Sequence, residues 1–205
     1  MNALRASSLA LLVIIIGAGG GAWLAWKRMT AEEVNARIER SSGPWRWNAD
    51  DRMFSDALSI ARTAQFGPFP MGSSQVTYYV ALADSSGERL RGDARYRLHG
   101  PLPRTRFWSI AAYDETGYLF ENPAQKYSLS SERLASSDDP AAEAVQAFAA
   151  GRLDLTVGVP GGAPGTLPTG SGPMFLVFRV YQPETPLFPG ADSPVPITIE
   201  RLDSP

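Results

Sequence analysis

The chain has 205 residues, a formal net charge of −2, no cysteine and a single histidine, His99. The lack of cysteine excludes disulfides and thiolate sites, and a single histidine excludes any metal site with two histidine ligands, so we expect no metal and no cofactor. Removing the three cations Arg5, Lys27 and Arg28 leaves −5 for residues 29–205. That acidic balance argues against a nucleic-acid partner.

The first predicted element is an uncharged, strongly apolar segment from Ala6 to Trp26. A helix over this segment, rising about 1.5 Å per residue, would extend roughly 30 Å, the hydrocarbon thickness of a bilayer. Arg5 precedes the segment and Lys27-Arg28 follow it, which is typical of the flanks of a membrane span. We therefore expect residues 1–28 to be a transmembrane anchor that contacts the lipid bilayer through residues 6–26.

A cleaved signal peptide is the alternative for the same segment, because a basic residue, a short apolar stretch and the small residues Gly17-Ala18-Gly19 also fit that plan. Apolar character resumes at residues 22–26 and stops at two cations, which favours the anchor. The positive-inside rule, applied to the flanking cations, favours a cytoplasmic domain, although long domains translocate largely regardless of charge. Charge alone therefore leaves the orientation open.

Residues 29–46 are predicted to form a juxtamembrane helix and linker, with Thr30 as the N-cap and the helix continuing to Arg40. A second helix is predicted over residues 50–64, where apolar residues recur near helical spacing. The remaining body, residues 47–205, is long enough for one domain with its own core.

From residue 76 onward the apolar pattern changes to a period of two, which is typical of strands with one buried face. The predicted strands cover residues 76–83, 95–98, 107–113, 118–120, 126–129, 153–157, 174–180 and 195–199. One short helix is predicted between Asp139-Pro140 and Gly151, and a Gly/Pro-rich loop over 158–173. Many short strands and few helices predict a mainly β fold, a two-sheet antiparallel β-sandwich or jelly roll with a few short helices.

Several short motifs occur in a fixed order over roughly residues 45–202: Tyr78-Tyr79-Val80-Ala81-Leu82-Ala83-Asp84, Phe107-Trp108-Ser109-Ile110, Tyr113-Asp114, Glu121-Asn122-Pro123, Tyr127-Ser128, Leu167-Pro168 and Phe178-Arg179-Val180-Tyr181-Gln182-Pro183. In order and spacing they resemble the bacterial domain-of-unknown-function family numbered 1214, which often follows a companion domain numbered 1254. The resemblance implies a jelly-roll or lectin-like sandwich in the bacterial envelope, with no established activity. It favours a periplasmic domain, so we expect a single-pass protein of the bacterial inner membrane.

Polar side chains on or beside the predicted strands supply the candidate ligand-binding residues, which are Arg97, His99, Asp114, Glu121, Arg179 and Tyr181. By alternation, Arg95, Arg97 and His99 share a strand face, and these two cations beside a titratable ring would make an anion site. We expect a neutral, solvent-facing His99, with the anion site as the alternative.

Arg179 interrupts the most apolar strand, between Phe178 and Val180. We expect it to pair with Asp114 or Glu121. The alternatives are a side chain that snorkels to solvent at a sheet edge, and a guanidinium that binds a ligand carboxylate or phosphate.

Asp114 followed by residues 115–117 predicts a hairpin turn, because aspartate bonds its own backbone and glycine tolerates positive φ. That turn would bring Asp114 towards Glu121. We expect both carboxylates to be solvated, as adjacent acids on a hairpin usually are, with acid-base catalysis on a glycosidic bond as the alternative. Phe107 and Trp108 are both expected in the core.

No Walker loop, dinucleotide fingerprint or serine-hydrolase elbow occurs in the chain. The leading hypothesis is therefore a membrane-anchored envelope protein whose sandwich binds a ligand, either a glycan or an envelope protein, without catalysis. The alternative is a hydrolase or isomerase that acts on a cell-wall, glycan or lipid-derived substrate through Asp114, Glu121, His99 or Arg179.

Overall fold

The computed structural model describes residues 2–30, 39–48, 60, 71–158 and 163–202. By its internal contacts the chain divides into two units, one of residues 1–38 and 50–70 and the other of residues 39–49 and 71–205. The predicted helix over 50–64 lies outside the described residues, apart from residue 60, which is helical.

In the first unit, helix α1 runs from Asn2 to Thr30 and includes the whole predicted anchor segment. Its large apolar side chains from Leu11 to Trp26 are exposed. Within the described part of the chain, no helix combines the length and the apolarity that a membrane crossing requires. A helix at residues 6–26 is thus confirmed, whereas its crossing of a bilayer is not supported.

The described part of the second unit contains ten strands and two short helices. The strands are β1 (Glu39–Ser42), β2 (Trp45–Asn48), β3 (Val76–Ala81), β4 (Arg95–Pro101), β5 (Thr105–Asp114), β6 (Leu129–Ser130), β7 (Arg152–Val157), β8 (Thr166–Leu167), β9 (Met174–Pro183) and β10 (Thr198–Leu202). The helices are α2 (Ser131–Ala135) and α3 (Glu143–Ala149).

The strands form two sheets. The larger sheet has the order β1-β2-β3-β9-β5-β6 and the smaller has the order β10-β4-β7-β8. The pairings are antiparallel except for β7 with β8, which is parallel. The predicted mainly β class with two sheets and few helices is confirmed.

One hydrophobic core is shared by both sheets, because each strand turns alternate side chains to the same side. The larger sheet supplies Trp108 and Phe178, whose ring centroids lie 6.1 Å apart. The smaller sheet supplies Tyr96, Leu98 and Leu155, all fully buried or nearly so. Since each large apolar side chain contributes about 1.5–3 kcal/mol on burial, this shared core holds the two sheets together as a sandwich.

The β1–β2 hairpin corrects the sequence-based expectation of a helix through Arg40, since both Glu39 and Arg40 lie in β1. The chain reverses at Gly43, whose φ of +56° suits glycine. Trp45 then enters the core, fully buried, and its indole Nε1 donates to the carbonyl oxygen of Ile197 at 2.7 Å. That tertiary contact, invisible in local sequence, favours the strand.

Two other elements are shorter than predicted, and a third is displaced along the chain. The strand expected at 118–120 is reduced to a bridge between Tyr113 and Leu119, and the strand expected at 126–129 to β6. The reason is that the amide of Asn122 closes the intervening loop, donating to the carbonyl oxygens of Phe120 (3.2 Å) and Lys126 (3.1 Å) in place of a strand partner. The last strand, expected at 195–199, begins only at Thr198.

The helix expected directly after residue 139 begins later, at Glu143, with Ala142 as its N-cap. The carboxylate of Asp139 instead accepts a hydrogen bond from the amide of Ala141 at 3.1 Å, two residues along the chain. Asp139 therefore stabilises the turn that leads into α3.

Candidate functional site

The outward face of the smaller sheet carries a fixed pair of opposite charges. Arg97 of β4 donates from Nε to Oδ1 of Asp154 on β7 at 2.8 Å and from Nη2 to Oδ2 at 2.6 Å. Glu143, the first residue of α3, places its Oε1 3.9 Å from the same Nη2. The hydrogen bonds from Arg97 lower the pKa of Asp154 despite its partial burial, so this carboxyl is ionised near neutral pH.

His99 lies two residues farther along β4, on the same face as Arg97. Its Nε2 is 3.7 Å from Oε2 of Glu200 on the neighbouring strand β10. A surface cavity of about 370 Å³ opens here, and the ionisable side chains in its wall are Arg97, His99, Arg152 and Asp154. The predicted sharing of one face by Arg97 and His99 is thus confirmed, and we call this space the Arg97 cavity.

The Arg97 cavity differs from the anion site suggested by the sequence. Because Asp154 balances the charge of Arg97 within the protein, the wall presents a hydrogen-bond acceptor beside its donors. His99 likewise has Glu200 near its ring. The arrangement can bind a ligand that both donates and accepts hydrogen bonds.

Arg179 points outward from β9, on the larger sheet, with Tyr181 on the same face. Its Nη2 donates to the hydroxyl of Tyr113 at 2.5 Å, and its guanidinium carbon lies 5.5 Å from the ring centre of Tyr113 and 5.9 Å from that of Tyr78. Among the described residues no carboxylate forms an ion pair with Arg179, so the expected pairing with Asp114 or Glu121 is wrong. Aromatic rings and a hydroxyl surround this cation instead.

Phe107 belongs to the same outer face, where its ring centre lies 5.4 Å from that of Tyr181. Its neighbour Trp108 is buried in the core. The expectation that both would be core residues is therefore confirmed for Trp108 and wrong for Phe107. The reason is the two-residue period of a strand, which sends neighbouring side chains to opposite faces.

Asp114 ends β5 and forms the predicted hairpin turn. Its Oδ1 accepts from the amide and hydroxyl of Thr116, at 2.9 and 2.6 Å, and from the amide of Tyr118 at 3.0 Å. The hydrogen bond from the Thr116 side chain is the main reason that the pKa of Asp114 is lowered. Glu121 is exposed and forms no hydrogen bond or ion pair within the described residues.

The predicted site residues do not converge on one place. Arg97 and His99 lie on the outer face of the smaller sheet, whereas Arg179 and Tyr181 lie on the outer face of the larger sheet. These faces are on opposite sides of the shared core. Asp114 serves the turn at the end of β5.

No sequence motif marks the second cavity of the sandwich, which has a volume of about 320 Å³ and includes Lys126 in its wall. Lys126 is only 9% exposed, and its Nζ donates to the carbonyl oxygen of Ala163 at 2.7 Å. Burial lowers the pKa of Lys126, and the nearby cation Arg133 lowers it further. One sequence feature could have directed attention to Lys126: lysine is rare in this chain, occurring only at Lys27 and Lys126.

A family model described as "Protein of unknown function (DUF1214)" matches residues 75–185 of this chain. No curated protein matches it. The solved structure of the VPA0106 protein from Vibrio parahaemolyticus is 17% identical and superposes with a TM-score of 0.53, over 71% of this chain and 35% of that chain. That likeness concerns the fold alone.

A putative uncharacterized protein from Burkholderia cenocepacia is 15% identical, with a TM-score of 0.39 over 66% of this chain and 31% of that one. The matched region therefore spans about a third of the length of either structure.

Proposed function

The chain belongs to the DUF1214 family of proteins of unknown function, and we propose that its sandwich is a non-catalytic binding module, with the Arg97 cavity as the ligand site. The observation that carries this proposal is the two-point hydrogen bond between Arg97 and Asp154 in the cavity wall. A guanidinium held at two points by a carboxylate keeps a single orientation. The cavity thus offers donors and an acceptor in fixed positions.

The ligand class follows from the chemistry of the wall. Arg97, Arg152 and His99 supply donors, and Asp154 supplies an acceptor. A polyhydroxylated ligand matches such a mixture, because each hydroxyl donates and accepts at once. The volume of about 370 Å³ lies within the usual range for small-molecule sites. A glycan is therefore the ligand that we propose.

Calorimetric titration of the full chain with N-acetylglucosamine oligomers and muropeptides tests the proposal. We expect saturable binding to at least one of them, weakened at least tenfold by Arg97→Lys, because an ammonium cannot reproduce the two-point pair with Asp154.

Arg91→Lys is the matched control. Arg91 holds Asp93 in the same two-point manner, at 3.0 and 2.8 Å, and it lines neither cavity. Equal losses in the two variants, or no binding to any oligomer, would contradict a glycan site at Arg97.

The distribution of the other polar residues also supports a binding module. An enzyme that used His99, Arg179 and Asp114 together would need them within reach of one substrate. His99 and Arg179 lie on opposite outer faces, and Oδ1 of Asp114 already accepts three hydrogen bonds. Turnover of glycans, esters or phosphoesters by the purified chain would overturn the non-catalytic proposal.

The inner-membrane location with a periplasmic domain stays a prediction, as do contact with the lipid bilayer and an envelope-protein partner. A fusion of alkaline phosphatase to the C-terminus measures the location directly, since this enzyme is active only outside the cytoplasm. We expect an active fusion. A stably expressed but inactive fusion would place the domain in the cytoplasm.

A further inference from the structure

The cavity beside Lys126 is separate from the Arg97 cavity, because the two share no lining residue. Its wall combines the loop that carries Lys126 with residues of α2, including Arg133, and with the segment around Pro164 and Gly165. We call it the Lys126 cavity. Its chemistry differs from that of the Arg97 cavity, which contains a carboxylate.

The loop before β6 directs Lys126 inward. The side chain of Asn122 accepts a hydrogen bond from the Lys126 amide at 3.0 Å and donates one to the Lys126 carbonyl oxygen at 3.1 Å. Gln125, the residue before the lysine, adopts a left-handed conformation with φ of +49°. Together these features hold the backbone of Lys126 at one position.

The segment around Gly165, another part of the cavity wall, is also constrained. Gly165 has φ of +76°, and a Cβ at this residue would lie 2.1 Å from the Cβ of Ala144 in α3. Only glycine therefore lets this segment pack so closely against the helix. Nearby, the carbonyl oxygen of Ala163 accepts from Lys126 Nζ at 2.7 Å.

The charges in the Lys126 cavity have one sign. An ammonium group has three donors, and the carbonyl oxygen of Ala163 is the one acceptor that Lys126 Nζ contacts within the described residues. Arg133 lines the same cavity, and none of the lining residues that the structure describes is a carboxylate. Neither cation forms an ion pair within the part of the chain that the structure describes. A buried cation without a counter-charge is unfavourable, so an arriving anion would be stabilised.

One hydroxyl adds a donor at the edge of this cavity. Oγ of Ser137 accepts a hydrogen bond from the amide of Asp139 at 3.3 Å, which leaves its own hydrogen available. By contrast, the hydroxyl of Ser136 donates to the carbonyl oxygen of Glu132 at 2.8 Å. An oxyanion could therefore meet two cations and a hydroxyl.

We propose that the Lys126 cavity binds a small oxyanion, a phosphate or carboxylate group, held by Lys126 and Arg133. The oxyanion supplies the charge that no side chain of the wall supplies, and it accepts hydrogen bonds from the ammonium and guanidinium groups at once. This site is independent of the glycan site, since it uses none of the same residues.

The two lysines of the chain make a direct test possible. Selective ¹³C labelling of lysine in the full chain yields side-chain NMR signals only from Lys27 and Lys126, and Lys27 serves as the internal reference. We expect inorganic phosphate or succinate to shift the Lys126 signal saturably while the Lys27 signal follows ionic strength alone. Comparing the two ions distinguishes a phosphoryl from a carboxylate ligand.

Two variants locate the binding site. Arg133→Gln removes an exposed cation of the cavity wall and should weaken binding at least tenfold, as read from the Lys126 signal. Lys126→Met removes the buried charge and should abolish binding, as read by calorimetry. Arg104→Gln removes an exposed cation that lines neither cavity and should change nothing.

Two results would overturn the oxyanion site. One is parallel, non-saturating shifts of both lysine signals with either ion, which would mark a general ionic effect. The other is an unchanged affinity in Arg133→Gln. If Lys126→Met fails to fold, the titration of the natural chain and Arg133→Gln still decide the question.

Discussion

Arg97 and Asp154 are joined by two parallel hydrogen bonds of 2.8 and 2.6 Å, although 57 positions separate them in the chain. Antiparallel pairing of β4 with β7 brings them together, with Asp154 opposite His99 and therefore diagonal to Arg97. The pair links the two strands and also lines the Arg97 cavity. We therefore expect the pair to contribute to the stability of the fold independently of ligand binding.

Asp154→Asn should destabilise the fold at pH 7 by about 1 kcal/mol, the upper range for a solvent-accessible ion pair, because Arg97 is 42% exposed. The folded-state pKa of Asp154 is lowered, so its contribution is present above the unfolded value of about 3.9 and is lost as the pH falls through the lower folded value. Urea unfolding of both proteins should show the difference at pH 7 and a smaller one at pH 3. A difference that grows on acidification would contradict the ion pair.

Trp45→Phe should destabilise the β-sandwich, because it removes the donor to the carbonyl oxygen of Ile197 in a fully buried position. Leaving that oxygen unsatisfied costs about 1–3 kcal/mol, in addition to the lost packing volume. The free energy of unfolding in urea measures the change. Trp23→Phe in α1, where the side chain is 60% exposed, is the control and should leave the unfolding of the sandwich unchanged.

The same turn is built twice, around Asp84 and around Asp114. In each, the carboxylate accepts from the amide and hydroxyl two residues on, Ser86 or Thr116, and from the amide four residues on. Asp84 is 3% exposed and its hydrogen bonds are partly buried, so Asp84→Ala removes partly shielded hydrogen bonds and should cost about 1 kcal/mol. Asp114→Ala should cost less, because water reaches its donors.

Chemical denaturation of the two alanine variants compares these turns directly, and Asp84→Asn, which retains one acceptor, should recover part of the loss. An equal or larger effect at Asp114 would show that burial is not what distinguishes the two turns.

Burial raises the pKa of Tyr79 to about 12. The unfolded chain loses this proton near pH 10 while the folded chain keeps it, so between these values stability falls as the pH rises, by about 1.4 kcal/mol per pH unit for this group. Tyr79→Phe removes the ionisable group and should raise the pH of alkaline unfolding, followed by circular dichroism. Tyr118→Phe, at an exposed tyrosine, is the control, and an equal shift in both variants would contradict the assignment.

Much of the sandwich could be predicted from local pattern, and the clearest case is β9. Its fully buried residues Leu176, Phe178 and Val180 recur at every second position because one face of the sheet packs on the core, although Val177 between them is also buried. This period of two is visible in the sequence. The turn at Asp114 was predictable for a similar reason, since its partners lie within four residues. The same alternation correctly placed Arg97 beside His99.

The elements that sequence reasoning missed depend on distant partners. Residues 39–48 form a hairpin because Trp45 reaches Ile197 in the core, and the residues beyond Tyr118 form a loop because Asn122 closes it. Arg179 was expected to have a carboxylate partner, yet Tyr113 and Tyr78 lie nearest, on strands that flank β9 in the sheet. Strand order, which decides these neighbours, is not encoded in any short window.

The sequence by itself determined the class of fold, the alternation within the strands and the exclusion of thiol and multi-histidine chemistry, because these depend on residue type and on neighbours a few positions away. Only the tertiary structure decided where charge is balanced and where it is not. Arg97 contacts Asp154 through strand pairing, whereas Lys126 shares with Arg133 a cavity in which no described wall residue is a carboxylate. A side chain's electrostatic environment is set by groups brought together from distant parts of the chain. The sequence alone therefore could not show that Arg97 has a carboxylate partner whereas Lys126 lies beside a second cation.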